Sequence, residues 1–504
     1  MHELTRRLDG AGRLAGPGDV VVTGICQDSR RVQPGDLYVA LPGRRHHGAQ
    51  FTAEAVSRGA VAMLSDRISA VLPTVVVREP RRVLGPLAAW IHGNPSATLE
   101  VYGVTGTNGK TSTAYLLDAG LRTAGVPTGL ITGVGIRGDG RARPATRTTP
   151  EACELQQTLA TFVETRLAAV AMEVSSHGLA LNRVDGTDFR VGVFTNLARD
   201  HLDFHTDMDT YFAAKARLFA PGRCGAAAIG IDDDFGRRLA ATALVPHLTF
   251  STATTAADIC ASGIHADESG TSFTLHGVGP ARTVRLRLLG AHQVDNALAA
   301  LTALAVRGGI ELDAVIEGIE HLSAVPGRLE RVDAGQPFLA FVDYMHNTAG
   351  QRRLFPYLRS LSRGHLIAVV GATGGRDPGK RGPLGSTAAT FADTVIVTDE
   401  SPHSDDAAQL REDVAQGARS AGNTEVLVIE DRGAAIAAAV ACAAPGDVVV
   451  IAGRGHDRAQ TFGGHERIFD DRVVLRRALA QLVGSKNAAV SERFRVGPGR
   501  RRPR

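Results

Sequence analysis

Short apolar runs that end in glycine-containing polar turns, each followed by a stretch with helical spacing, recur from Leu99 to about Gly327. Strands that alternate with helices in this way predict a mostly parallel sheet with helices on both faces. The runs are Val101–Thr105, Gly129–Thr132, Leu167–Met172 and Val191–Thr195. Ahead of them, β-like runs at Val20–Val22, Leu37–Leu41 and Gly59–Leu64 alternate with polar loops, and a helix from Leu84 ends at His92-Gly93-Asn94-Pro95. After Pro326-Gly327-Arg328 the alternation resumes at Leu339–Val342, Leu366–Val370, Thr394–Thr398 and Val448–Ala452, the pattern of a second, smaller doubly wound sheet. The expected organisation is α/β in three domains: 1–97, 98–326 and 327–484, with a disordered basic tail over 485–504.

The run from Val101 stops at Gly106-Thr107-Asn108-Gly109-Lys110-Thr111-Ser112, where a helix can begin. A strand that hands over through glycines to a helix N-terminus aims several backbone N–H groups at one spot, a cradle for phosphate oxygens. Lys110 adds a point charge for the outer phosphates, and the Thr111 hydroxyl can ligate Mg²⁺. The glycine spacing is shorter than the full Walker pattern, because Val104 stands where its first glycine belongs.

Ligands of open α/β sheets sit beyond the carboxyl ends of the strands. Two polar clusters fall at such ends, Glu173-Val174-Ser175-Ser176-His177 and Asn196-Leu197-Ala198-Arg199-Asp200-His201-Leu202-Asp203. A carboxylate from Glu173 and an imidazole from His201, brought beside Lys110 and Thr111, suit Mg²⁺ and a reacting anion. The polar loops at Asp28-Ser29-Arg30 and Gly43–Gly48 are of a kind that holds anionic or sugar ligands. By spacing alone Lys215, in the helical stretch Tyr211–Phe219, reads as a solvated lysine.

Charge changes the picture little. The net +4 is largely the tail, where Lys486–Arg504 carries seven basic residues against one acidic, so no nucleic-acid partner is expected for the body. Five cysteines, spread without CxxC spacing, fit reduced thiols and a cytoplasmic location. No run approaches the ~18 apolar residues of a membrane span.

From Met172 to Phe219, and in the ordered motifs DSR, GTNGKT, TTPE, EVSSH, NLARDHLDFH, AAKARLF, DYMH, GRDPGKR and AGRGHD, the chain closely resembles the Mur ligases. Within them it is most similar to the branch that adds the third residue of the peptidoglycan stem peptide. The resemblance, running from about Val22 to about Leu482, implies ATP- and Mg²⁺-dependent amide synthesis on a UDP-N-acetylmuramoyl dipeptide, by a monomer. It makes 1–97 the UDP-sugar domain, 98–326 the ATP domain and 327–484 the amino-acid domain. It assigns Mg²⁺ and catalysis to Thr111, Glu173, His201 and Lys215, with Lys110, and makes Lys215 a carbamylated lysine. It gives Ser29, Arg30, Thr148, Thr149, Ser175 and Arg183 to the UDP substrate, and Asn296, Arg328, Asp343, Tyr344 and His346 to the nucleotide together with the glycine loop.

Departures gather at the amino-acid end. Where diaminopimelate-using members carry Asp-Asn-Pro-Arg, this chain has Glu400-Ser401-Pro402-His403, and a histidine cannot make the bidentate fork of a guanidinium. The GKGHE segment is Gly453-Arg454-Gly455-His456-Asp457, FNV is His292-Gln293-Val294, and DYAH is Asp343-Tyr344-Met345-His346. Three readings stay open: a diaminopimelate ligase, a paralogue joining another amino acid in specialised metabolism, and a non-catalytic nucleotide-binding regulator.

Overall fold

The computed structural model describes residues 1–43, 46–138, 140–422 and 424–495, from 485 onward as backbone alone. The first sheet orders its strands Gly12–Ala15, Thr74–Val77, Ala62–Ser65, Asp36–Ala40 and Gly24–Cys26, all parallel except the first. Val20–Val22, expected as a strand, is not one. Val21 is exposed and the Val20 carbonyl accepts the Met1 amino group, so this apolar triplet packs beside the sheet without joining its ladder.

The second sheet has eleven strands. Its parallel centre runs His247–Ser251, Cys224–Gly230, Phe189–Phe194, Glu100–Thr105, Ala169–Glu173 and Thr128–Ile131. Helices Lys110–Thr123 and His292–Arg307 cover one face, and Ala152–Glu164 and Met208–Ala216 the other, each burying an apolar stripe. Antiparallel ribbons, Ile259–Asp267 with Gly270–His276 and Arg282–Leu286 at one edge and Ile136–Arg137 with Ala142–Arg143 at the other, widen the sheet beyond the parallel expectation. Their half-exposed alternation is the mark of a ribbon with one face in water.

The third sheet orders Glu330–Arg331, Leu339–Asp343, Val448–Ala452, Leu366–Val370, Thr394–Val397 and Glu425–Val428, parallel but for the first. Leu366–Val370 and Val448–Ala452 are buried throughout, as continuous apolar runs covered on both faces must be. The final helix spans Asp471–Arg495, so helix occupies the first part of the stretch expected as a disordered tail, and 496–504 lie outside the described residues. The three helical residues after Met208–Ala216 tighten into a 3₁₀ turn, Arg217–Phe219.

Candidate active site

The phosphate loop follows from its glycines. Gly106 has φ +146° and Gly109 φ +90°, and a Cβ on them would lie 1.8 Å from Thr195 Oγ1 and 2.3 Å from Asn296 Oδ1. Thr195 Oγ1 donates to the Asn108 carbonyl at 2.7 Å, and the Asn196 side chain both accepts from Asn108 N at 3.0 Å and donates to Asn108 O at 3.1 Å. The loop is thereby pinned from the neighbouring strand before any ligand arrives. Gly106→Ala is expected to cost about 1–3 kcal/mol of backbone strain and to abolish tight ADP binding, checked by calorimetry beside a thermal melt.

Behind the loop, Lys110 Nζ donates to the carbonyls of Gly106 and Thr107 at 3.0 and 2.9 Å. Burial lowers its pKa, while Glu173 and Asp200 act in the opposite sense. Thr111 Oγ1 donates to Glu173 Oε1 at 2.8 Å and accepts from Arg328 Nη2 at 2.9 Å, and Glu173 Oε1 also takes the Gly133 amide at 3.0 Å. A hydroxyl and a carboxylate oxygen at one point are the hard-oxygen pair that Mg²⁺ takes from protein, the rest of its shell being water and phosphate. No cluster of three or more His, Cys, Asp or Glu with metal-binding geometry occurs among the described residues.

Lys215 is buried, and its Nζ donates to Gly106 O at 2.7 Å, the same carbonyl that Lys110 uses. Burial, and then the charge of Lys110, push its amine well below the usual lysine range. Two cations cannot cheaply share one carbonyl in a dry site, so the neutral amine is favoured at Lys215. His201, with φ +55°, sits edge-on to His177 at 5.0 Å, and burial pushes its imidazole down to about 2.

Asp200 is the residue that sequence reasoning placed in a cluster without giving it a task. It is 4% exposed, and Oδ2 faces His346 Nε2 at 3.1 Å and accepts from Asn347 Nδ2 at 3.2 Å. Asn347 Nδ2 also donates to Asn108 Oδ1 at 3.2 Å, so one carboxylate joins the third sheet to the phosphate loop. Burial opposes its ionisation, but His346 holds the Asp200 carboxyl well below the usual range. His346 Nδ1 faces the Tyr344 carbonyl at 2.9 Å, so both ring nitrogens face oxygen atoms. Asp203 with Arg376 and Arg199 with Asp377 add outer ion pairs across the same seam.

A cavity of about 470 Å³ is lined by Thr107, Asn108, Gly109, Lys110, Thr111, Ser112, Glu173, His201, Lys215, Asn296, Arg328, Asp343, Tyr344 and His346, and also by Thr148, Thr149, Ser175 and Arg183. The residues expected for ATP, metal and peptide therefore meet in one cleft, with Gly106 behind it. Several have other duties. Both Asp343 oxygens accept backbone amides, Leu329 at 2.6 Å and Met345 at 2.7 Å, so its carboxylate shapes the hinge. Arg328 lies over the Tyr344 ring at 4.4 Å. Thr149 Oγ1 donates to the Glu173 carbonyl at 3.0 Å, and Ser175 caps the next helix through Gly178 N.

A second cavity, about 1440 Å³, lies against the first sheet and holds Ser29 and Arg30. Ser29 Oγ donates to Glu54 at 2.7 Å, and Arg30 pairs bidentately with Asp28, so neither loop residue is idle. Thr146 and Arg147 line both cavities. At their junction Glu151 meets Arg183 at 3.0 Å, Arg81 at 3.3 Å, Arg147 at 3.6 Å and Gln27 at 3.1 Å. Although burial pushes it upward, Arg183 and Arg81 hold the Glu151 carboxyl below its ordinary value. Three guanidiniums around one carboxylate leave excess positive charge where the sequence showed only scattered arginines. Cys26 and Cys153, distant in sequence, line this same cavity as free thiols.

The amino-acid set forms a neighbouring wall and does not line the smaller cavity. Glu400 Oε1 accepts from Thr373 at 2.7 Å, and its other oxygen lies so near Gly453, φ +105°, that a Cβ there would come within 2.8 Å. Buried Arg454 donates to Ser401 Oγ at 2.9 Å and to the carbonyls of Ala459 and Phe469, fixing the turn that ends in Pro402 and His403. His403 is exposed, with φ +54°, its N–H held by the Thr461 carbonyl at 2.9 Å. Enclosure by the protein pushes the Asp457 carboxyl up to about 6, with Glu400 adding to the effect. In the GRDPGKR segment, Arg381 is tied to Asp405 and Asp413 inside the third domain, while Lys380 reaches the His346 carbonyl.

Family descriptions match three consecutive blocks, "Mur ligase family, catalytic domain" over 21–89, "Mur ligase middle domain" over 104–304 and "Mur ligase, glutamate ligase domain" over 327–455. The chain is 46% identical, over 95% of its length and 97% of the relative's, to a Streptomyces coelicolor protein named UDP-N-acetylmuramoyl-L-alanyl-D-glutamate–2,6-diaminopimelate ligase. The chain belongs to the Mur ligase family.

A Corynebacterium glutamicum protein of the same name is 41% identical to this Mur ligase over 98% of the chain and 100% of the relative. A solved structure of that name matches with TM-score 0.63 at 30% identity, covering 92% and 95% of the two chains. The fold is shared further with the MurF ligase of Thermotoga maritima in complex with ADP, TM-score 0.67 at 18% identity. The resemblance read from the motifs and the three-domain α/β architecture are both borne out. The protein is a ligase of the acid–amino-acid type, and ATP-dependent chemistry goes with the family. No helix among the described residues is long and apolar enough to cross a membrane.

Proposed function

We propose that this Mur ligase joins 2,6-diaminopimelate to UDP-N-acetylmuramoyl-L-alanyl-D-glutamate, with Lys110, Glu173, His201 and Lys215 at the reacting centre. The observation that carries the reading is the single cleft, where a phosphate loop, a hydroxyl–carboxylate pair and the Thr148, Thr149 and Arg183 group converge. Lys110 and the loop amides hold the triphosphate, and Arg183 and the threonines orient the acceptor carboxylate toward its terminal phosphorus. Attack by that carboxylate expels ADP and leaves an acyl phosphate. A neutral amine then displaces phosphate and forms the amide. Mg²⁺ held by Thr111 and Glu173 supplies charge neutralisation for the phosphates. Lys215, as a free buried amine, is suited to take up CO₂ and become a carbamate that serves, with His201, as further oxygen and nitrogen donors.

Glu400 and Asp457, two carboxylates on one wall, suit the ammonium groups of a diamino acid, while exposed His403 supplies no guanidinium. Incubation with ATP, the UDP-muramoyl dipeptide and a pool of amino acids, read by mass, tests the reading. Joining of a residue other than diaminopimelate, or phosphate release without a joined product, overturns it. His403→Arg is expected to lower KM for diaminopimelate by about tenfold, the gain of a bidentate guanidinium fork over an imidazole.

The Asp457 carboxyl at about 6 sets a pH dependence. Its ionised form is the one that attracts an ammonium, so KM for the amino acid rises as pH falls through about 6, with KM for ATP steady. Asp457→Asn flattens the profile, read by initial rates between pH 5 and about 8.

A further inference from the structure

Beyond strand Thr394–Val397 the chain turns through Asp399–His403, the segment that carries Glu400 to the amino-acid wall. A turn leaves the sheet's ladder, so its buried carbonyls need donors from elsewhere. The Asp399 and Glu400 carbonyls, consecutive along the backbone, share one side chain: Gln460 Nε2 donates to Glu400 O at 2.7 Å and to Asp399 O at 3.3 Å. A primary amide carries two N–H groups on one nitrogen, so it can serve two neighbouring acceptors at once. Gln460 is itself buried, and it does not line the reaction cavity.

Gln460 stands in a hairpin, Ala459–Phe462 paired with His465–Ile468. A two-stranded hairpin has little stability by itself, and every residue of the second strand is exposed. The turn supplies an anchor. Thr461 O accepts from His403 N at 2.9 Å, Gly463 N donates to His403 O, and Gln460 ties down the other end of the same segment. Asp457 lies at the hairpin's base, where Arg454 holds Ser401 Oγ at 2.9 Å and the Ala459 carbonyl at 2.7 Å. One short stretch, Asp457–Gln460, thus carries one carboxylate of the wall and grips the backbone of the other. Glu400 cannot shift against Asp457 without breaking the bonds of the amide.

We propose that Gln460 is a positioning residue for the incoming amino acid, fixing through the Asp399 and Glu400 carbonyls the spacing between the Glu400 and Asp457 carboxylates. The assignment rests on the reading that these carboxylates meet the ammonium groups of a diamino acid, and it says what sets their separation. Without the amide, two buried carbonyls lose a donor, the peptide after Glu400 turns toward other partners, and the carboxylate beside it moves off the ammonium.

The test is initial-rate kinetics of the full chain with ATP, the UDP-muramoyl dipeptide and diaminopimelate, each varied in turn. Gln460→Met, of like length and without a donor, is expected to raise KM for diaminopimelate by about tenfold with kcat little changed, the effect of carbonyls left without their donor. KM for ATP and for the dipeptide stays within about twofold, because neither cavity is lined by the hairpin. Gln460→Asn, whose amide stops one methylene short, gives an intermediate rise. A thermal melt accompanies both variants. A KM for diaminopimelate that stays at the wild-type value in both, a rise shared equally by all three KM values, or failure of both variants to fold overturns the proposal and leaves the ligase reading standing. A wild type that joins only amino acids with a single amino group overturns the reading of the two carboxylates, and the proposal with it.

Discussion

Lys215→Ala is expected to lower ligation by roughly two to three orders of magnitude and to be partly restored by added formate or acetate. The argument starts from the Gly106 carbonyl, on which both Lys215 and Lys110 converge. A lysine kept as a permanent cation there would repel the residue that must meet the phosphates. A lysine whose amine is neutral can add CO₂, and the product is an anion on a stem that already reaches the loop. Removing the side chain leaves a space lined by Tyr211 and the loop, into which a small carboxylate fits. The measurement is initial rate of phosphate release against carboxylate concentration, with mass analysis of the untreated wild type for the added CO₂. A variant at wild-type rate, or a wild type of unmodified mass that remains fully active, removes the carbamate from the mechanism.

Asp200→Asn is expected to lower kcat by about a hundredfold with the KM for ATP little changed. The substitution keeps size and loses the charge that binds His346 from the third domain while Asn347 bridges to Asn108. The loop itself is held by Thr195 and Asn196 from its own sheet and survives. What loosens is the register between the domain that carries the amine and the domain that activates the carboxylate, and an error of about 1 Å in such a pair costs about 10²-fold. Small-angle scattering of the variant is expected to show a more extended average shape. A compact variant with reduced kcat would assign Asp200 to chemistry in place of domain register.

The two substitutions mark what could be read before folding and what could not. Gly106 to Thr111 announce themselves because a phosphate cradle is local: glycines, a lysine and a hydroxyl within one turn. Glu173 and His201 were legible because each belongs to a polar cluster at or after the end of a buried apolar strand, Ala169–Glu173 and Phe189–Phe194. Asp200 stood in the same stretch, yet its partners His346 and Asn347 lie in another domain, and no periodicity carries a pairing across that distance. Glu151 was hidden for the same reason, since Gln27, Arg81, Arg147 and Arg183 come from separate elements. The ribbons at the edges of the central sheet escaped because their half-wet alternation resembles a polar loop, and Val20–Val22 misled because apolar character alone does not supply a neighbouring strand. Lys215 shows the limit most clearly. Its helix spacing reads as surface, and only the motif resemblance pointed elsewhere; the fold buries it.

That Thr146 and Arg147 border both cavities bears on how this enzyme sorts its substrates. One long molecule can be gripped at its nucleotide head on the first sheet while its peptide tail lies under the phosphate loop. On the proposed function, selection would work like a ruler: a precursor shortened by a single residue would still dock its head but fall short of the reacting phosphorus.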